Sequence, residues 1–181
     1  MQKDYMFIVS LLLFSMFCLF SIFYIKKYFT PERLKNAEKI PRNVPLGAIF
    51  GAAAIAWCVP QSLAVFSSNS VMLFSIIAIV AYLIGCFFLD YLFARALAGF
   101  IILLSHYFMA QSFAVDIPML WLFSVFVLVM GTSAIVIGGI PHYMRDFIRK
   151  ICVSKSFKLS IMAVFGLYLL ISLYAALIQF L

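Results

Sequence analysis

The sequence predicts an all-α integral membrane protein: a six-transmembrane-helix bundle with both termini outside and an amphipathic cytoplasmic helix between spans five and six. Three observations predict it. Of the 181 residues 67% are hydrophobic and only 10% charged, and the mean hydropathy is +1.17, outside the usual composition of a soluble domain. A hydrocarbon core of about 30 Å takes about 20 apolar residues per helix, so a chain of this length holds roughly six spans and leaves no room for a soluble catalytic domain. The basic residues, third, fall in alternate connections between the apolar runs.

The first apolar run, 5–25, is too long for the apolar segment of a signal peptide. Lys26 and Lys27 follow it, so it is expected to remain a membrane helix. The polar segment KKYFTPERLKNAEKIPRN leads into a second span at 44–66, which carries Pro60. SSNS at 67–70 separates this from a third span at 71–89. A tight turn in LDYLFAR, with Asp90 and Arg95 expected to pair across it, precedes a fourth span at 96–115. DIP at 116–118 opens a fifth span at 118–140, with Asp116 suited to cap its helix. After PHYMRDFIRKICVSKSFK, a sixth span occupies 159–181. The whole chain, 1–181, reads as a single transmembrane domain. Its loop lengths do not repeat as an inverted three-plus-three transporter would require.

Orientation follows from charge. Lys26, Lys27, Arg33, Lys35, Lys39 and Arg42 lie between spans one and two, Arg95 between three and four, and Arg145, Arg149, Lys150, Lys155 and Lys158 between five and six. Only Lys3 falls elsewhere. With six spans these three connections share a side, which the positive-inside rule makes cytoplasmic and which places both termini outside. The net charge of +7 is therefore topological, with anionic lipid headgroups as its counter-charge and no role for nucleic acid.

Two connecting segments have helical patterns of their own. In HYMRDFIRKI, Tyr143, Met144, Phe147, Ile148 and Ile151 recur on one face, while Arg145, Asp146, Arg149 and Lys150 take the other. This predicts an interfacial helix whose Arg145, Arg149 and Lys150 meet lipid headgroups. TPERLKNAEKI is a weaker version, with Thr30 as N-cap, Pro31 in the first turn and Leu34, Ala37 and Ile40 on one side.

Within the spans, Gly47, Gly51, Ala54 and Cys58 share a face of the second helix. That face predicts close approach of another helix, from this chain or another. Pro60 removes a backbone hydrogen bond and should kink the outer end, near Gln61 and Ser62. Gly131, Thr132 and Ser133 form a small polar cluster in the fifth span, where hydroxyls commonly bond back to their own helix. His106, in FIILLSHYFMAQSFAVD, lies near the bilayer midplane, about ten residues into its span. A polar ring there needs a partner. The expected one is a hydrogen bond to a neighbouring helix, with Gly99, Ile102, Met109 and Ala110 on the same side and Ser105, Gln111 and Ser112 nearby. A haem or quinone contact at His106 is the lesser reading, and proton handling the least, since no Glu lies in any span.

Four cysteines, Cys18, Cys58, Cys86 and Cys152, show neither metal nor disulfide spacing. Paired carboxylates, a Ser and His at motif spacing, H-E-x-x-H and a phosphate-binding glycine loop are all missing, so an enzyme is the weaker class and no catalytic or metal residue is assigned. The leading expectation is an accessory or scaffolding subunit of a larger membrane complex, in a bacterial inner membrane or other plasma membrane, with other membrane subunits or its own copies as partners and no cofactor. The runner-up is a small transporter or channel with a pathway past His106, Gln111, Thr132 and Ser133. A third reading is a redox subunit binding haem or quinone.

Overall fold

In the computed structural model, residues 5–66, 71–115, 117 and 120–180 are described, and they form helices joined by short turns, with no strand among them. The helices are α1 (Tyr5–Tyr28), the single turn α2 (Leu34–Ala37), α3 (Val44–Phe66), α4 (Val71–Phe88), α5 (Leu92–Val115), α6 (Leu120–Gly139), α7 (His142–Val153) and α8 (Lys155–Phe180). Five of them are long and apolar enough to cross a membrane, and a sixth is added when Pro31–Arg42 and Val44–Pro60 count as one span. Such lengths follow from unbroken apolar sequence, because a helix satisfies every backbone polar group within itself.

Several boundaries differ from those read off the sequence. Helix α5 begins at Leu92 and α8 at Lys155, each four residues before the expected start at 96 or 159. In both cases basic residues, Arg95 in one and Lys155 and Lys158 in the other, stand in the first turns, where a long alkyl stem keeps the charge at the surface while the backbone is helical. The TPERLKNAEKI segment is not one helix. It breaks into a 3₁₀ turn at Pro31–Arg33, the short α2 and a second 3₁₀ turn at Ile40–Arg42, as Pro31 in its first turn and Pro41 just beyond its end dictate. Thr30 makes no side-chain cap there. The cap that forms is Asn43, whose Oδ1 accepts the Leu46 N–H at 3.0 Å at the start of α3. Helix α3 runs on through Pro60, and the side chains of Gln61 and Ser62, like Asp116 and the 67–70 break, lie outside the described residues.

The chain divides into two compact units. One comprises Met1–Glu38, Ser105–Val129 and Asp146–Leu181. Here α1 and α8 run side by side along their lengths. Their core is aromatic: Phe108 meets Phe7, Phe14 and Phe123 at centroid distances of 6.3, 5.4 and 6.2 Å, and Tyr168 stands edge-on to Phe14 and Phe126. The Tyr168 hydroxyl donates to the Phe126 carbonyl at 2.9 Å. At the basic end, Lys158 donates to the carbonyls of Lys26 (3.2 Å) and Phe29 (2.8 Å), closing the C-terminus of α1 with a cation that its dipole favours. Replacing Lys158 with Met is expected to lower stability by about 1–2 kcal/mol. Lys155→Met, at an exposed position, should cost almost nothing, and denaturant titration in micelles followed by far-UV circular dichroism measures both.

The second unit comprises Lys39–Leu104 and Met130–Arg145. Helix α3 packs on α4, tied by the Tyr82 hydroxyl donating to the Ala48 carbonyl at 3.1 Å, and against α5 by Phe50 on Phe93 and Phe100. Gly138 of α6 leaves room for Ala98: a Cβ there would stand 3.4 Å from the Ala98 methyl.

Candidate functional site

The small face of α3 is a contact within this chain. A Cβ on Gly47 would come within 2.7 Å of both Leu92 Cγ and the Phe93 backbone nitrogen, and one on Gly51 would come 3.3 Å from the Tyr82 ring. Ala54 is buried on the same face. Cys58 is not: it is exposed, because the stripe of small residues turns outward one helical turn beyond Ala54.

His106 also differs from expectation. Its side chain is exposed on α5 beyond the helix middle and makes no hydrogen bond or ring contact with any described residue, so no described helix receives it. Ile102, Ala110 and Phe113 are exposed on that side as well, and a Cβ on Gly99 would meet nothing within 4 Å. The side of α5 that is buried carries Ser105, Phe108 and Ser112 instead. In a helix apolar all round, composition leaves the inward direction undetermined.

The other polar candidates are placed apart by their surroundings. Gln111 is half-buried, while Thr132 and Ser133 are exposed. The Ser133 hydroxyl donates to the Met130 carbonyl of its own helix at 2.8 Å.

The basic candidates lie on α7. Its Ile148, Ile151 and Cys152 are buried, while Arg149 is exposed and pairs with Glu38 at 3.5 Å, and the Lys150 ammonium sits 4.9 Å from the Phe157 ring centre. Arg145 is half-buried. Tyr143 and Phe147 stay exposed beside the charges. Burial pushes the Cys152 thiol above its ordinary value, Lys158 opposing and Glu38 adding to the shift.

Two features were not visible in the sequence, and a third was. Asp90 and Arg95 do not pair; the Arg95 Nε is covered and has no hydrogen-bond partner among the described residues, and Arg42 instead donates to the Tyr91 hydroxyl at 2.6 Å. Among the described residues, every polar residue buried as a whole, Ser15, Ser105, Ser112, Ser172 and Gln179, belongs to the first unit. Gln179 is fully buried, and both its amide atoms lack a hydrogen-bond partner among the described residues. Its signal was there: Ser172, Ala175, Ala176 and Gln179 follow the i, i+3, i+4, i+7 rhythm of a packed helix face.

Among the described residues no group of three or more His, Cys, Asp or Glu is placed to hold a metal ion. Several helices of membrane-spanning length and apolarity in an all-helical chain define an integral, multi-pass membrane protein. No protein-family model matches the chain, and neither does any curated protein or solved structure.

Proposed function

We propose that this chain is a six-span accessory or scaffolding subunit of a larger membrane complex, both termini outside and α7 on the cytoplasmic face of a plasma membrane. The observation that carries the reading is His106. An imidazole facing hydrocarbon without a hydrogen-bond partner costs several kcal/mol, and this chain leaves it on the outward face of α5. A helix of a second membrane chain, supplying a donor or acceptor at that depth, removes the cost. The open surface at Gly99 and Ala110 allows such a helix to approach closely.

A photo-crosslinker tests the reading in native membranes. His106→benzoylphenylalanine is expected to give one protein adduct of defined mass, and Met16→benzoylphenylalanine, on an exposed position of α1, to give lipid adducts alone. Lipid adducts alone at both positions would sink the proposal. For the topology, cysteines introduced at Ser68 and Lys155 are expected to be labelled from opposite sides, and labelling from one side would overturn the six-span count.

A further inference from the structure

On the reading that a second membrane chain faces His106, we infer that this chain is another copy of the same protein, and that the two His106 rings bond to each other across a two-fold axis. A neutral imidazole holds one N–H donor and one bare ring nitrogen that accepts. It is therefore complementary to itself, the N–H of one ring meeting the bare nitrogen of the other. A carboxylate, which only accepts, or an ammonium, which only donates, has no such option. Depth points the same way. His106 lies nine residues before the end of α5 at Val115, about 13 Å along the axis and inside the apolar length of the helix. Copies of one sequence insert in one orientation, because the charge bias that orients one orients the other. A two-fold axis along the membrane normal then brings the same surface of each copy together, with His106 opposite His106. An unrelated chain needs a polar group of its own at that depth.

The surface around the ring admits a close neighbour. Ala110 and Ala114 follow His106 at four-residue spacing, and all three are exposed, so they form one row along the first unit's part of α5 in which the imidazole is the only large side chain. Small residues at this spacing let two membrane helices approach closely, and a polar side chain on such a row can then bond across. The other long helices of the first unit present no comparable surface. From Met6 to Phe23 every exposed residue of α1 is large, Phe17 and Phe20 among them, and the outer half of α8 exposes Leu167, Leu170, Tyr174 and Leu177. Those faces suit lipid chains. The row on α5 joins the one exposed imidazole within a span to the small residues that let a second such row reach it.

Sedimentation equilibrium of the purified full chain in dodecyl maltoside measures the self-association, and the wild type is expected to be a reversible dimer. His106→Leu should weaken dimerisation about tenfold, and Ala110→Leu, which holds the helices apart, by at least as much. His106→Asn is the decisive variant, because a carboxamide also donates and accepts. It should dimerise close to wild type, which a loss of ring shape alone would not allow. Leu170→Ala, on an exposed face of α8, should associate as wild type. Circular dichroism confirms folding, and the two His106 variants suffice if Ala110→Leu fails to fold. A monomeric wild type, or His106→Leu and His106→Asn dimerising alike, would overturn the pairing. Native mass spectrometry of the wild type, extracted gently from its own membrane, separates the second copy from the broader reading. Two copies in one particle support both. A single copy bound to a different chain, and released from it by His106→Leu, overturns the second copy and keeps the broader reading; a lone chain overturns both.

Discussion

Truncating Phe108 to alanine is expected to lower the stability of the folded protein by about 2 kcal/mol. Phe108 is 1% exposed and touches rings of α1 and α6 within the first unit. In water the same truncation costs about 3–5 kcal/mol, because a lost transfer term adds to the cavity left behind. In a bilayer the unfolded helices are already solvated by hydrocarbon, so most of the transfer term cancels. What remains is the dispersion energy of atoms that no longer touch. Phe113, five residues further along the same helix and 61% exposed, is the matched control: Phe113→Ala should change stability by less than about 0.5 kcal/mol. Unfolding in mixed micelles, followed by circular dichroism, distinguishes the two. Equal losses would mean that the face of α5 carrying Phe108 is not the packed one.

Adding a single methyl group at Gly47 is expected to cost as much, about 2–3 kcal/mol. The new Cβ would stand 2.7 Å from the Phe93 backbone nitrogen and 2.9 Å from the Leu92 carbonyl carbon. Backbone cannot rotate out of the way as a side chain does, so the first turn of α3 or that of α5 must shift. Two other glycines calibrate the result under the same titration. Gly51→Ala meets the Tyr82 ring edge at 3.3 Å, and a few tenths of an ångström of ring movement accommodates it. Gly99→Ala meets nothing within 4 Å and should be neutral or slightly stabilising, since alanine is the better helix former. A Gly47→Ala protein as stable as Gly99→Ala would refute the close approach of α3 to α5.

Both results depend on facts that differ in how far the sequence discloses them. Gly47 and Gly51 are readable as a packing face because small residues four apart recur on one side of a helix, whatever lies opposite. Which helix lies opposite is not readable: α4 and α5 are both apolar enough to serve, and Tyr82 and Leu92 give no sign of their pairing with α3. Cys58 extends the sequence pattern and is nevertheless exposed, which spacing along one helix does not disclose. For α5, hydropathy reports depth and says nothing of rotation, so Phe108 and His106 look equally placed to face inward. The 3.6-residue geometry then puts them on different sides, one buried and one exposed.

The electrostatic pairings follow the same division. Charge counting assigns the basic residues to alternate connections, since it needs only their order along the chain. It does not find Lys158 on the carbonyls of Lys26 and Phe29 or Arg42 on Tyr91, because the partners lie 129 to 132 and 49 residues away. The nearby pair it suggests, Asp90 with Arg95, gives way to a turn in which Tyr91 takes the left-handed conformation.

By itself the sequence determined the helical class, the apolar segments with the second at 44–66, and the amphipathic helix after Pro141. Each of these depends on about 20 consecutive residues or on a local periodicity. Tertiary structure alone decided the facing of each helix: Phe108 and Gln179 inward, His106 outward, Gly47 against the start of α5. Lipid and protein interior are both apolar, so hydrophobicity does not separate the two sides of such a helix, and the choice is left to the fit between surfaces far apart in the chain.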